Sequence, residues 1–220
     1  FMIHTDQTFF TNEPERNLYE RFSKILKSNT QFFDVLVGYF RTSGFFSLYE
    51  AMQDIEKIRI LVGLNVDKKT IEIINQAEIG PYISSLSHRE AKETFETLVE
   101  EEFAISEDSA KVEVGVKYFI TWLKNGKMEM RMYTEAPIHA KVYIMRKNME
   151  LVPDSYGSVI TGSSNFSEAG LKNNLEFNVE LKDSRDVLFA LERFEELWSW
   201  GIDIKEVYTE TIETKTWLRK

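Results

Sequence analysis

A histidine and a lysine lie two residues apart in the segment 138–145, which is apolar at the alternate positions. This alternation predicts a β-strand over residues 138–145. Because alternate residues of a strand share one face, we expect His139, Lys141 and Tyr143 to point the same way. A histidine and a lysine held side by side on a rigid element cost stability unless an anion binds there. An edge strand with its polar face in water would show the same pattern.

A second set of polar residues follows the short predicted strand 157–161. Gly162 permits a tight turn at the end of that strand, and Ser163, Ser164 and Asn165 come directly after it. Their hydroxyl and amide groups can present hydrogen-bond donors at the strand's end. An ordinary turn before a helical stretch has the same composition, so the segment is ambiguous by itself.

A third polar set lies on the predicted strand 174–181, which alternates strictly between polar and apolar residues. Asn174, Glu176, Asn178 and Glu180 share one face of this strand. A strand whose polar face meets water would look the same. Glu176 therefore becomes informative only together with the two preceding segments.

The three segments together resemble the phospholipase D superfamily. A His-x-Lys at His139 and Lys141, a Gly-Ser-x-Asn ending at Asn165, and Glu176 eleven residues later occur in the family's order. These specific motifs cover about residues 136–181. The apolar N-terminal segments are compatible with the phospholipase D-like domains that precede helicase modules or occur in restriction enzymes.

The resemblance implies a phosphodiesterase that needs neither a cofactor nor a metal ion. Its catalytic residues would be His139, Lys141, Asn165 and Glu176, with Ser163 and Ser164 as further substrate contacts. His139 would attack the phosphorus and form a phosphohistidine, while Lys141 and Asn165 would bind the phosphoryl oxygens. Glu176 would accept a hydrogen bond from the His139 ring and fix its tautomer.

Two features depart from the family's longer, duplicated pattern. The family places an aspartate five residues after the lysine, where this chain has Arg146, so full activity is in question. The chain also has one copy of the motif, because His4 and His88 are followed two residues later by Asp6 and Glu90. Single-copy members of the family pair as homodimers, so we expect two chains to share one active site.

The elements that must position these residues predict an α/β fold. Short apolar, β-rich runs at 33–40 and 58–64 flank a helix at 44–56, which indicates a parallel strand pair. A further strand is predicted at 127–133. Other helices are predicted at 15–28, 68–78, 88–104, 112–125 and 185–200. We expect a layered phospholipase D-like fold with a central mixed, partly parallel sheet flanked by helices.

The length of 220 residues fits one domain with an appendage. We expect a phosphodiesterase domain over residues 1–183. Residues 184–220 are expected to form a helical segment that packs on it or leads to a downstream module. We then expect the chain to be the N-terminal part of a larger helicase- or restriction-type protein.

The composition excludes several classes of site. The absence of cysteine excludes disulfides, thiolate metal sites and a cysteine nucleophile, and it fits a cytoplasmic protein. A net charge of −9 argues against tight coating of nucleic acid. The charge is uneven, however, because residues 111–147 hold eight basic and three acidic side chains. They could be ordinary solvated surface, or a basic floor that guides a DNA backbone to His139.

Three other functions remain open at this point. A catalytically silent DNA-binding or dimerisation module could have kept the fold, and Arg146 favours this alternative. A phospholipid-acting phosphodiesterase is the second, although no apolar run is long enough to span a membrane and none resembles a membrane-surface helix. A plain structural domain is the third, and it predicts that His139, Lys141 and Glu176 lie far apart.

Overall fold

A computed structural model describes residues 8–14, 16–63, 89, 92, 93, 96, 97, 100, 110–148, 150 and 157–215. The predicted helix 68–78 lies outside the described residues. Six positions of the predicted helix 88–104 are described, and all six are helical.

An eight-stranded mixed sheet forms the centre of the molecule. In chain order its strands are β1 (Phe9–Phe10), β2 (Phe32–Val37), β3 (Lys57–Gly63), β4 (Met128–Tyr133), β5 (Lys141–Arg146), β6 (Gly157–Gly162), β7 (Asn178–Leu181) and β8 (Ile202–Asp203). The spatial order is β1-β7-β6-β5-β2-β3-β4-β8. Strands β2, β3 and β4 are parallel to one another, and the other neighbouring pairs are antiparallel. The predicted mixed, partly parallel sheet is therefore confirmed.

Helices cover both faces of this sheet. The helices whose two ends lie within the described residues are, in chain order, α1 (Leu18–Asn29), α2 (Thr42–Leu48), α3 (Ala110–Lys124), α4 (Ser184–Ser199) and α5 (Lys205–Lys215), with a 3-10 turn at Tyr49–Met52 and a π-helical turn at Ala169–Asn173. Helices α1, α2, α3 and α5 contribute to the larger apolar core on one face, and α4 packs over a smaller core on the other. Side-chain caps begin two of them, because Asn17 accepts from the Glu20 amide and Asp183 from the Arg185 amide.

Several predicted strands are shorter than expected, and two of the differences concern the candidate site. Strand β5 begins at Lys141, so His139 lies in the loop that leads into it. Strand β7 begins at Asn178, so Glu176 lies before its first residue. His139 and Glu176 therefore lie in loops, and each loop leads directly into a strand of the sheet.

The polar face of β7 turns toward the protein interior, which is the opposite of a water-facing strand. Asn178 is 1% exposed and Glu180 is 4% exposed. The Glu180 carboxylate receives two hydrogen bonds from the Arg21 guanidinium, at 2.7 and 2.8 Å. Burial of these polar groups is tolerated because each one has a partner. As a consequence, Leu175 and Phe177 lie on the molecular surface.

Four basic residues of 111–147 lie in or next to strands of the sheet. Lys141 begins β5, whereas Arg146 ends it and Lys147 follows. Arg131 is in the middle of β4 and donates a hydrogen bond to the Trp198 carbonyl at 2.8 Å. The strands therefore carry these four residues to different parts of the sheet, and a basic floor that guides a DNA backbone to His139 stays a prediction.

Candidate active site

One edge of the sheet collects the predicted site residues. Strands β2 and β6 are both antiparallel to β5, so their carboxyl ends lie beside its first residue, Lys141. In the register Val37 is opposite Lys141, and the Gly38 amide donates to the Ala140 carbonyl at 3.0 Å. The loop after β6 carries Ser163 to the same edge, where its amide donates to the Phe177 carbonyl at 3.1 Å.

His139 and Lys141 are in direct contact. The Lys141 Nζ lies 3.3 Å from the His139 Nε2. An ammonium group has donors only, so Nε2 is the acceptor and a neutral ring carries its proton on Nδ1. The ring is exposed at the surface, while Lys141 is only 8% exposed. A lone pair of the candidate nucleophile therefore faces a cation that can turn to an incoming phosphoryl oxygen.

Lys141 is a buried cation with no carboxylate partner among the described residues. Its backbone is fixed by the Thr161 hydroxyl, which donates to the Lys141 carbonyl at 2.9 Å. Buried charges in proteins are normally paired, because removal from water is costly. A buried, unpaired ammonium at a surface edge is typical of a site that an anion completes.

Close packing holds the loop after β6 against the start of β7. A Cβ on Gly162 would lie 2.2 Å from the Phe177 carbonyl oxygen and 2.7 Å from the Asn178 Cα, so only glycine fits. The Ser163 hydroxyl donates to the Glu176 carboxylate and accepts from the Phe177 amide at 2.9 Å. Ser163 and Glu176 therefore form one hydrogen-bonded unit at the site's edge.

Ser164 was predicted to contact substrate, and the structure gives it a structural role instead. It is 0% exposed. Its hydroxyl accepts from the Asn178 amide group at 2.8 Å, and its own backbone amide donates to the Asn178 Oδ1 at 3.2 Å. The Tyr143 hydroxyl donates to the Ser164 carbonyl at 2.6 Å. Burial, and then the nearby Glu176 charge, raise the pKa of Tyr143, which keeps this hydroxyl protonated.

Among the described residues, no hydrogen bond joins the Glu176 carboxylate to the His139 ring. Besides Ser163, its carboxylate accepts from the Asn174 side-chain amide at 3.3 Å. The predicted hydrogen bond that would fix the His139 tautomer is thus absent among the described contacts. Lys141, through Nε2, is the group that orients the ring here.

Asn165 is half-buried at the start of the next turn. Its carbonyl accepts from the Ser167 amide at 2.8 Å. Among the described residues its side-chain amide has no hydrogen-bond partner. The backbone of Asn165 is therefore fixed, and its side chain has donors available for a ligand.

Sequence reasoning missed the residues that hold these loops together. Asn178 and Tyr143 were placed on polar strand faces, yet both are buried and bind Ser164. It also missed the segment that follows β2, in which Phe40 bridges to Phe166 and the Arg41 amide donates to the Phe166 carbonyl at 2.9 Å. The sequence signal for this segment was a polar residue, Arg41, only four positions after the end of the buried strand β2.

Within the described residues, no group of three or more histidine, aspartate or glutamate side chains is arranged to hold a metal ion. The same part of the chain contains no helix that is long and apolar enough to cross a membrane.

Known structures share this fold at low sequence identity. A phospholipase D family member from Salmonella typhimurium, Nuc, is 15% identical with a TM-score of 0.50, over 89% of this chain and 95% of that one. A phosphatidylserine synthase from Haemophilus influenzae is 12% identical with a TM-score of 0.51, over 91% of this chain and 40% of that one. No curated protein sequence matches this chain. The family model described as cardiolipin synthase, PLD-like domain, matches residues 22–198, so the chain belongs to the phospholipase D-like phosphodiesterase superfamily.

Proposed function

We propose that this chain hydrolyses phosphodiester bonds of nucleic acids through a covalent phosphohistidine at a homodimer interface. The observation that carries this proposal is Lys141, a buried cation without a carboxylate partner that touches the His139 Nε2. Its ammonium can bind an equatorial phosphoryl oxygen while the released Nε2 attacks the phosphorus. Asn165 supplies further donors to the phosphoryl group.

The proposed reaction has two steps that together consume one water. First, Nε2 of one His139 forms a bond to phosphorus, and the bond from phosphorus to the leaving oxygen breaks. His139 of the partner subunit gives that oxygen its proton. Then the partner subunit's His139 takes a proton from water, whose oxygen bonds to phosphorus as the P–N bond breaks. Histidine and lysine supply the nucleophile, the acid and the positive charge, so we propose that no metal ion is required.

An apolar surface beside the site supports pairing of two chains. Phe9, Leu175 and Phe177, which we call the edge patch, are 46%, 80% and 62% exposed. The Phe9 and Phe177 rings are 5.4 Å apart. The patch adjoins the site directly, because Phe177 follows Glu176 and its backbone amide binds Ser163. A second copy that covers the edge patch would bring its own His139 toward the same edge.

Trapping the covalent intermediate tests the proposal. Wild-type protein is mixed with a radiolabelled oligonucleotide in the presence of a chelator and quenched during turnover. We expect a labelled protein adduct that is labile in acid and stable in alkali, as a phosphoramidate is, and that maps to the peptide containing His139. The His139→Ala protein should form no adduct and should not cleave the oligonucleotide.

Two results would contradict the proposal. Wild-type cleavage without any adduct would argue against a phosphohistidine intermediate. A His139→Ala protein that cleaves at the wild-type rate would show that the active site lies elsewhere. Release of head groups from phospholipid vesicles, with no action on the oligonucleotide, would instead establish a lipid phosphodiesterase.

Disrupting the edge patch is expected to separate the dimer. Leu175→Asp with Phe177→Asp should weaken self-association by at least about 30-fold, since buried anchor residues contribute about 2 kcal/mol or more to interfaces. Turnover should fall in parallel, because each site loses its second histidine. Sedimentation at several protein concentrations measures the first effect and an oligonucleotide assay the second.

Phe189→Asp is the matched control for the edge patch. Phe189 is 64% exposed but lies on α4, over the other face of the sheet. The Phe189→Asp substitution should leave both self-association and turnover unchanged. A wild-type protein that is monomeric at assay concentrations and fully active would refute the shared site.

The position of Arg146 argues against the silent-module alternative. Arg146 lies at the far end of β5, five residues from Lys141. At about 3.3 Å per residue this is about 16 Å from the candidate site. A larger helicase- or restriction-type protein and a cytoplasmic location stay predictions.

A further inference from the structure

The segment after β2, residues 38–41, runs along the candidate site from one motif to the other. At its start, the Gly38 amide binds the carbonyl of Ala140, which lies between His139 and Lys141. At its end, the Arg41 amide binds the carbonyl of Phe166, the residue after Asn165. The backbone of Arg41 is thus tied to the loop that carries Asn165.

Packing makes the end of this segment rigid. The Phe40 and Phe166 rings are stacked with centroids 5.3 Å apart, and both are buried. A Cβ on Gly44, in the first turn of α2, would lie 2.7 Å from the Phe166 carbonyl carbon, so the two backbones touch. The backbone of Arg41 therefore has a fixed position relative to that of Asn165.

The Arg41 side chain has no carboxylate partner among the described residues. It is half-buried, and its guanidinium lies over the Tyr39 ring at 4.9 Å. By contrast, Arg21, Arg59 and Arg146 each bind a carboxylate. A guanidinium that is stacked on an aromatic ring keeps its planar fork of donors free for an anion.

We propose that Arg41 binds the phosphate next to the scissile one, and that the substrate is therefore a strand with consecutive phosphates. This inference rests on the proposed function, since it assigns the scissile phosphate to His139, Lys141 and Asn165. A guanidinium binds a phosphate through two parallel hydrogen bonds, so it fixes the direction of the strand as well as holding it. An isolated phosphodiester reaches the same three residues without using Arg41.

Two substrates distinguish the proposed role of Arg41 from that of the residues that bind the scissile phosphate. We expect Arg41→Gln to lower kcat/KM for a single-stranded oligonucleotide about 10-fold, the size of one lost charged hydrogen-bonding contact, mainly through KM. For bis(4-nitrophenyl) phosphate, which has one phosphate, kcat/KM should stay within about two-fold. Arg41→Lys should recover part of the loss, because it keeps the charge and loses the fork.

The salt dependence of binding gives a readout that does not require turnover. In the His139→Ala background, fluorescence anisotropy measures binding of the oligonucleotide at several salt concentrations. Arg41→Gln should make the slope of log K against log[salt] smaller in magnitude by about 0.7, the value for one phosphate contact on a single strand. Arg185→Gln is the control, because Arg185 is 91% exposed, pairs with Asp183 and follows the opposite end of β7.

The outcomes distinguish this inference from the proposed function. An unchanged salt slope, or equal losses of kcat/KM on both substrates, overturns the role of Arg41. If Arg41→Gln loses binding to anionic phospholipid vesicles but keeps its binding to the oligonucleotide, the inference that the substrate is a nucleic-acid strand is overturned. If the wild-type protein cleaves neither substrate but Arg41→Gln still reduces the slope, the hydrolase proposal fails and the phosphate contact stands.

Discussion

Lys141→Met is expected to abolish most phosphodiester turnover while making the protein more stable. Lys141 is 8% exposed, and among the described residues its ammonium has one hydrogen-bonding partner, the Nε2 of the His139 ring. Removing one pre-oriented donor from a developing oxyanion costs about 10²–10³-fold in kcat, and a shared site loses two such donors, so we expect about 10³-fold or more. An isosteric apolar side chain removes the cost of burying a charge, which should raise the free energy of unfolding by about 1 kcal/mol.

The opposite signs of these two effects make the experiment decisive. Turnover is measured on the oligonucleotide, and the free energy of unfolding comes from urea titrations. Lys147→Met is the matched control, because Lys147 follows the other end of β5 and should change neither quantity beyond about 0.5 kcal/mol or two-fold. Lower stability together with retained turnover would show that Lys141 is an ordinary structural lysine.

Local patterns were sufficient to predict the strands that build the sheet. The runs 33–40 and 58–64 are apolar and β-rich over the length of a strand, and the helix between them requires a parallel connection. The structure has β2 and β3 parallel and in register from Phe32 with Lys57 to Val37 with Val62. Helix α5 lies within the helical segment expected over residues 184–220, but its bounds were not predicted, because threonines, which have low helix propensity, interrupt its apolar pattern.

The site was harder to predict, because its contacts join residues that are distant in sequence. Periodicity correctly gave Asn178 and Glu180 the same face of β7, but it could not give the direction of that face. Glu180 is buried because Arg21, 159 residues earlier, reaches it, and Asn178 because Ser164 does. The inward turn of β7 also exposes Leu175 and Phe177, so the edge patch could not be inferred from alternation alone.

Asp34 is the carboxylate that pairs with Arg146, the residue that stands where the family pattern has an aspartate. Asp34 is 1% exposed and sits in β2. Its two carboxylate oxygens bind the Arg59 Nε at 2.6 Å and the Arg146 Nε at 3.2 Å. Arg59 also binds Glu195 on α4. This chain therefore places its carboxylate on β2 and its cation at the end of β5, where the family pattern has an aspartate.

Asp34→Ala is expected to destabilise the fold by about 3–5 kcal/mol, because it leaves two largely buried arginines without their shared carboxylate. Arg146→Met should cost only about 1 kcal/mol, since Asp34 keeps Arg59 as a partner. Arg146→Asp, which restores the family residue, should be worse than Arg146→Met, because it puts a second carboxylate beside a buried one. Adding Asp34→Arg to Arg146→Asp should recover part of that loss, because the two charges are exchanged.

Urea unfolding of these variants and of the double mutant measures the stability differences, and the oligonucleotide assay measures turnover below the unfolding transition. Arg146→Met should keep kcat/KM within about two-fold, because its side chain belongs to a network about 16 Å from His139 and Lys141. A large loss of turnover in a folded Arg146→Met protein would mean that this end of β5 acts on the chemistry. If Arg146→Asp were instead as stable as the wild-type protein, Asp34 would not be the partner that makes an arginine necessary at this position.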